Sequence, residues 1–413
     1  MTEPHARAAA GIATSTTPAE VSRAPTRMPA IDGLRFLAAA AVLLYHFTAS
    51  AASSRYWPEP AAAMFPTINS FTRYGWLAVD AFFVISGLVI VRSARNGQLR
   101  RFVASRVSRL LPAYWASVVI TAALRVAWGD RSPAVGDAFA NLTMVQGEFG
   151  VPNLQVVYWT LLVELKFYVI VGILVWKRHV DAKGLYVLSV AWPISAVVAE
   201  VASRSLPAGL AASSFAFAGH HLEARFAPFF AIGILIHLSG VPSWRRLTWA
   251  PLLLNAGLAV RSVVLASAGT QRLLDVPIRA DVAVGLTVGA CAVIAVAAKV
   301  RIPSRPARAL AVAGALTYPL YLVHVEFGNF VIDRVSGTLS APATVLVAMT
   351  VCLALAVVIN VVIERRTSRR LRSILEGGAV RRSRSAGPES RPEGALPLGR
   401  RTARARHRTP GPG

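Results

Sequence analysis

Long apolar stretches alternate with short polar ones along most of the chain. A helix needs about 20 residues to cross the hydrocarbon core of a bilayer, at a rise of about 1.5 Å per residue. Ten stretches reach or approach that length, near 31–50, 75–92, 111–128, 158–176, 184–200, 226–238, 250–267, 280–298, 309–331 and 341–363. The sixth is short and must extend or tilt to cross. The pattern predicts an all-α fold, a polytopic membrane helix bundle of about ten transmembrane helices.

The composition agrees with a membrane protein. Of the 413 residues, 54% are hydrophobic and 15% charged, whereas soluble proteins carry about 25% charged residues. The net charge of +24 does not indicate nucleic-acid binding, because the basic residues are concentrated in the C-terminal tail and alternate loops. Cys291 and Cys352 lie in apolar runs, so neither a disulfide framework nor a thiolate metal site is predicted.

The distribution of basic residues predicts the orientation. With the N-terminus in the cytoplasm, 32 lysines and arginines fall in inside segments and 8 in outside segments. Because basic residues are retained on the cytoplasmic side, both termini are predicted to be cytoplasmic, in a multi-pass protein of the cell membrane. We expect a disordered arm over 1–28, a membrane domain over 29–366 and a basic, largely disordered tail over 367–413.

Two ionisable residues share one face of the first predicted helix. Arg35 and His46 are eleven residues apart, about three turns and about 16 Å along the axis. Charged groups in a membrane helix are costly and therefore indicate function. Alternatively, Arg35 extends to the interface and His46 is a satisfied interior histidine.

Three further ionisable residues are predicted at the depth of His46. Asp80, Glu164 and His324 lie on the second, fourth and ninth predicted helices. Histidines beside carboxylates suit general base catalysis, although a purely structural polar cluster would place the same residue types together. No close histidine spacing supports a metal, and none is predicted. A proton relay in a transporter is a further alternative.

A pair of arginines precedes the third predicted helix. Arg106 and Arg109 are three residues apart and so share a helix face. Guanidinium groups bind phosphate through directed hydrogen bonds, which favours an anionic ligand from the cytosol. Anchoring by the positive-inside rule explains the same residues without a ligand.

Several short motifs follow one another over residues 29–366. They are Asp32-Gly33-Leu34-Arg35 with His46, Val79-Asp80 through Ser86-Gly87, Arg106-x-x-Arg109-x-x-Pro112 with Tyr114-Trp115, Trp159 through Glu164 to Tyr168, and Tyr318-Pro319-Leu320-Tyr321 with His324. In this order they resemble the acyltransferase-3 family of membrane O-acyltransferases, which modify sugars on polysaccharides, lipid-linked glycans and some antibiotics. The family usually shows Ser after the tryptophan and Glu-Gln after the key glutamate, whereas this chain has Thr160 and Leu165-Lys166 at these places. No esterase-like domain follows the tenth predicted helix, so a stand-alone acyltransferase is expected.

The resemblance implies a mechanism. His46 would be the catalytic base, and Arg35, Arg106 and Arg109 would contact an acyl-CoA donor, expected to be acetyl-CoA, with no permanently bound cofactor. Asp80, Glu164 and His324 would orient His46 or the acceptor. An acceptor path would be lined by Tyr318, Tyr321, Trp159 and Tyr168, although an aromatic interface belt also explains such residues.

The expected reaction is transfer of an acyl group to a hydroxyl of a carbohydrate or glycosylated acceptor. Direct transfer is favoured because no cysteine or activated serine is expected at the depth of His46. Two alternatives remain: a permease that uses the same buried charges, and an acyltransferase of a small secondary metabolite such as a macrolide. The expected partners are the bilayer, acyl-CoA and the acceptor, without nucleic acid.

Overall fold

The computed structural model describes residues 27–94, 97–129 and 132–377, and the predicted arm and most of the predicted tail lie outside these ranges. The described residues form helices and no strands. The α-helices are α1 Pro29–Thr48, α2 Ala51–Ser54, α3 Ala61–Met64, α4 Pro66–Thr72, α5 Leu77–Ala94, α6 Leu99–Ala127, α7 Val135–Asn141, α8 Trp159–Trp176, α9 Ala182–Ser205, α10 Leu210–His221, α11 Ala227–Ser239, α12 Trp249–Leu274, α13 Ala280–Ala297, α14 Ser304–Val335, α15 Ala341–Val358 and α16 Arg365–Leu375. Two 3₁₀ helices, Gln146–Phe149 and Val156–Tyr158, and a π-helix, Ile359–Glu364, join them.

Nine helical runs within the described residues are long and apolar enough to cross a membrane. They are Pro29–Thr48, Pro66–Ala94, Leu99–Ala127, Val156–Trp176, Ala182–Ser205, Trp249–Leu274, Ala280–Ala297, Ser304–Val335 and Ala341–Leu375. Each coincides with one predicted stretch, so the prediction of an all-α membrane bundle is confirmed. The remaining stretch, 226–238, corresponds to the 13-residue helix α11, which is too short to cross alone. It follows α10 after a break at residues 222–226, where Glu223 has a positive φ of 56°.

The centre of the bundle is formed by α1, α5, α11 and α14. α1 packs along α14, and α5 packs along α11. Gly87 and Gly233 allow this second contact, because a Cβ on Gly87 would overlap the carbonyl oxygen of Phe230 and one on Gly233 that of Val84. Small residues let two helix backbones approach closely in this way. Leu346, Leu253 and Val288, on the peripheral helices α15, α12 and α13, are instead exposed, as expected for a surface in contact with lipid.

The segment between α6 and α8 folds back against α6. Tyr114 Oη donates to the carbonyl oxygen of Asn141 at 2.6 Å, and Trp115 Nε1 donates to that of Leu142 at 3.0 Å. Nearer the end of α6, Gln155 Nε2 donates to Thr121 Oγ1 at 3.0 Å. These bonds fix the start of α8 against α6.

The helix after α15 continues beyond the predicted domain boundary at 366. The π-helix Ile359–Glu364 leads without interruption into α16, which extends to Leu375. α16 packs against α6, and Arg100 Nε donates to the carbonyl oxygen of Leu375 at 2.8 Å. The first residues of the predicted tail are therefore helical.

Candidate functional site

A basic cavity opens at the end of the bundle where α1 begins. We call it the arginine cavity; its volume is about 410 Å³. The charged residues that line it are Arg27, Asp32, Arg35, Arg92, Arg106, Arg109 and Glu364. It thus contains all three arginines that the sequence analysis assigned to a donor, together with two more and two carboxylates. Five guanidinium groups around one cavity are suited to bind a ligand with several negative charges.

Local structure determines which arginines face this cavity. Arg106 and Arg109 are adjacent on one face of α6, and Arg106 is buried, with its guanidinium over the ring of Tyr168 at 5.8 Å.

Glu364 ends the π-helix and accepts a hydrogen bond from Asn360 Nδ2 at 2.9 Å. Such widened helical turns often occur at functional sites. The sequence analysis did not identify Glu364, because it follows immediately after the last apolar stretch and resembles an ordinary helix-end charge.

A second cavity lies toward the opposite end of α1. We call it the histidine pocket; its volume is about 360 Å³. Its polar and aromatic lining consists of Tyr45, His46, Ser50, Trp76, Asp80, Trp159, Arg225, Phe226, Thr270 and Tyr321. Aromatic side chains with a few polar groups are typical of a ligand site. Trp76, Arg225 and Phe226 were missed from sequence, because none lies within a motif or has a periodic signal of its own.

His46 and His324 face each other beside this pocket. Their ring centroids are 5.2 Å apart, and His324 is almost completely buried. His324 Nδ1 lies 2.9 Å from the carbonyl oxygen of Tyr321. A carbonyl only accepts, so Nδ1 must carry the proton and the neutral ring presents a lone pair at Nε2. Among the described residues, neither His324 Nε2 nor His46 Nδ1 has a hydrogen-bond partner, and both atoms are buried.

A narrow passage of about 50 Å³ separates the two cavities. It shares Arg35 and Tyr318 with the arginine cavity, and Val79 and Tyr321 with the histidine pocket. The three spaces therefore lie end to end along α1, with Arg35 at one end of the passage. A nucleotide cannot enter a space of this volume.

Glu164 lines this passage and does not line the histidine pocket. Its Oε1 accepts hydrogen bonds from Ser86 Oγ at 3.0 Å and Tyr168 Oη at 2.7 Å. Asp80 does line the histidine pocket. Of the four ionisable residues expected at one depth, the structure therefore groups His46, His324 and Asp80, and it separates Glu164 from them.

The four residues that were predicted to line an acceptor path lie in different parts of the structure. Trp159 and Tyr321 line the histidine pocket, and Tyr318 lines the arginine cavity and the passage. Tyr321 Oη lies 3.1 Å from Thr160 Oγ1, which itself donates to the carbonyl oxygen of Val157. Tyr321 must therefore be the donor in that pair, since a hydroxyl has one proton. Tyr168 lines neither the passage nor the histidine pocket.

A cysteine does lie at the depth of His324, contrary to expectation. Cys352 Sγ is 3.6 Å from the carbonyl oxygen of His324 and can donate to it. The side chain is fully buried and does not line the histidine pocket. It is therefore packed away from the space in which a substrate would react.

Lys166, the charged departure from the motif, lies in an ion-pair network outside these cavities. Its Nζ is 2.8 Å from Glu148 Oε1 and 2.8 Å from Glu223 Oε1. Partial burial raises the pKa of Glu148, but Lys166, His220 and His221 together outweigh it, so the pKa lies below its ordinary value. The sequence did not identify either partner, because both lie outside the apolar stretches.

Comparison with known proteins gives evidence on the family of this chain. A family model described as an acyltransferase domain matches residues 28–361. The peptidoglycan O-acetyltransferase OatA of Listeria monocytogenes is 28% identical over 164 residues, which are 35% of this chain and 23% of that protein. A protein of Komagataeibacter xylinus named as a membrane-bound transacylase, BcsY, is 32% identical over 161 residues, 35% of this chain and 36% of that protein. The chain thus aligns with about a quarter to a third of these relatives' lengths, and no solved structure matches it.

Proposed function

The chain belongs to the acyltransferase-3 family, and from that premise we propose that it transfers an acyl group from acyl-CoA to a hydroxyl of a carbohydrate acceptor, with His46 as the base. That it is a membrane acyltransferase follows from the family and the apolar helices. One observation supports the choice of acyl-CoA as the donor and of His46 as the base. The arginine cavity, the passage and the histidine pocket lie end to end and share their lining residues.

The donor would enter through the arginine cavity. Its phosphates would bind Arg106 and Arg109, with Arg35 at the entrance of the passage. The excess of basic residues at this end supports a cytoplasmic location, where acyl-CoA is available. A cavity of about 410 Å³ suits a nucleotide, and the passage of about 50 Å³ is too small for one. Arg35 and His46 are about 16 Å apart along the helix, a span comparable to the extended pantetheine arm of the donor.

The acceptor would enter the histidine pocket, which supports sugar binding through its aromatic side chains. An imidazole nitrogen of His46 removes the proton of the attacking hydroxyl as the oxygen bonds to the thioester carbon. The tetrahedral intermediate then collapses, the carbon–sulfur bond breaks, and the imidazolium returns its proton to the departing thiolate. His324, through the lone pair on Nε2, and Asp80 are suited to orient His46 or the acceptor hydroxyl. Cys352 takes no part because it does not line the pocket.

The relatives favour a glycan as the acceptor. The OatA match supports a cell-wall glycan, and the BcsY match supports an acyl transfer at the membrane. The plasma membrane, with both termini cytoplasmic, is the proposed location.

The proposal is tested with membranes that contain the chain, radiolabelled acetyl-CoA, and peptidoglycan fragments or neutral polysaccharide as acceptor. His46→Ala is expected to lower transfer by about 10²- to 10⁴-fold, the usual contribution of a general base. His179→Ala is the matched control, because His179 is exposed and lies outside the three cavities. Equal transfer by the two variants at equal expression would refute the assignment of His46.

A further inference from the structure

Two segments that precede lining residues of the histidine pocket meet at a cluster of histidine and carboxylate side chains. Glu148 belongs to the 3₁₀ helix Gln146–Phe149, and His220 and His221 end α10. One ligand atom from each of these three residues lies within 4.8 Å of the other two. None of the three lines the arginine cavity, the passage or the histidine pocket. The cluster is therefore separate from the proposed acyl-transfer site.

The distances are those of ligands around a shared cation rather than of hydrogen bonds. His220 Nε2 is 3.5 Å from Glu148 Oε1, and His221 Nδ1 is 3.7 Å from Glu148 Oε2. Hydrogen bonds of this kind are about 2.7–3.2 Å long. Two ligands that each bind one Zn²⁺ at about 2.0–2.1 Å in tetrahedral geometry lie about 3.3 Å apart. Small rotations of the His220 and His221 rings would close the remaining differences.

The donor set and its surroundings also favour a divalent cation. Two imidazoles and one carboxylate are a common ligand set for Zn²⁺. Lys166 binds Glu148 from within the protein and also pairs with Glu223, as the hydrogen-bonded partners behind metal ligands do. With neutral imidazoles, the two carboxylates and one ammonium carry a net charge of minus one. The His220 side chain is 64% exposed, which gives a cation access.

We propose that Glu148, His220 and His221 bind a divalent transition metal, with Zn²⁺ the best match, and that Lys166 and Glu223 support Glu148 from behind. The bound ion would join the segment that leads to Trp159 with the helix break that carries Arg225 and Phe226. All three of these residues line the histidine pocket. The ion would thereby fix one side of that pocket without contacting a substrate.

The test uses the full chain, purified in detergent with an affinity tag that contains no histidine. Zn²⁺ binding is measured by calorimetry, and Co²⁺ is used as a spectroscopic probe, since tetrahedral Co²⁺ absorbs strongly in the visible range. The wild type is expected to bind one Zn²⁺ with an affinity at least tenfold above that of His220→Ala. His179→Ala, which removes an exposed histidine elsewhere, should bind like the wild type.

Lys166→Gln provides a second, opposite prediction. The amide keeps a donor toward the two carboxylates but removes the competing positive charge, so Zn²⁺ affinity should rise several-fold. The proposal is wrong if the wild type binds no Zn²⁺, or if His220→Ala and His179→Ala bind it equally. An unchanged or lower Zn²⁺ affinity in Lys166→Gln would show that Lys166 does not support Glu148 in the proposed site. Zn²⁺ binding and Co²⁺ absorption do not depend on acyl transfer. A failure of the metal proposal can therefore be distinguished from a failure of the proposed function.

Discussion

At the scale of single residues, Glu164 shows how a motif residue obtains its position. One of its oxygens accepts hydrogen bonds from Ser86 on α5 and from Tyr168 one turn along α8. Tyr168 lies in the same motif as Glu164, and Ser86 lies in another motif of the same series, so the motifs describe a group of contacts as well as individual chemical roles. The second oxygen remains available toward the passage. Glu164 is thus held by α5 and α8 at the point where a pantetheine arm would pass.

Tyr168→Phe tests this interpretation of the residue. The change removes one hydrogen bond to a carboxylate and leaves the ring against Arg106. A hydrogen bond to a charged group contributes about 1.5–3 kcal/mol, so the free energy of unfolding should fall by about that amount. The fall is measured by denaturation in mixed detergent micelles.

Tyr186→Phe is the matched control, because no hydrogen bond from the Tyr186 hydroxyl is present among the described residues. An equal loss of stability in both variants would mean that the bond to Glu164 contributes nothing specific.

At the scale of elements, α6 combines two tasks along its length. Its first half carries Arg106 and Arg109 into the arginine cavity, and its second half holds the returning segment through Tyr114, Trp115 and Thr121. Pro112 lies between the two halves, inside the helix. The same helix therefore positions the proposed donor site and the start of α8, whose first residue, Trp159, lines the histidine pocket.

Replacing the α6 arginines tests the donor assignment. Arg106→Gln or Arg109→Gln is expected to raise the KM for acetyl-CoA about 10- to 100-fold, since each change removes about 1.5–3 kcal/mol of charged hydrogen bonding. The kcat should change little, because the phosphates are far from the reacting carbon. Steady-state kinetics with varied acetyl-CoA separate the two constants.

Arg101→Gln is the control, because Arg101 is exposed on the same helix and does not line the cavity. Acetyl-phosphopantetheine, which lacks the nucleotide, should be less sensitive to both changes. If KM for acetyl-CoA is unchanged in Arg106→Gln and Arg109→Gln, the arginines serve only to anchor the helix.

At the scale of the whole molecule, the asymmetry of charge predicts which end of the bundle faces the cytoplasm. The arginine cavity opens at the end from which α1 starts, and α16 with its row of arginines lies against α6 at that end. The histidine pocket lies toward the other end. An enzyme arranged in this way can take its donor from one side of a membrane and its acceptor from the other.

Cysteine labelling tests the orientation in cells. In a background with Cys291 and Cys352 replaced by alanine, Ser373→Cys and Thr338→Cys place exposed thiols at the end of α16 and just after α14. A membrane-impermeant maleimide should label Thr338→Cys in intact cells and Ser373→Cys only after the cells are permeabilised. The reverse pattern would place the arginine cavity outside and rule out cytosolic acyl-CoA as the donor.

Hydropathy along the chain predicts the class of fold and most of the helices, because it is summed over neighbouring residues and needs no knowledge of packing. Helical periodicity also predicts that Arg35 shares a face with His46, and Arg106 with Arg109, since residues along one helix have fixed relative directions. Contacts between residues far apart in the chain could not be predicted in this way. Three features follow from the tertiary structure alone: His324 meets His46 while Glu164 lies apart from both, Glu364 enters the arginine cavity, and Glu148 and Glu223 pair with Lys166. They depend on how one helix is rotated against another or on a broken or widened turn, and no local pattern in the chain encodes these.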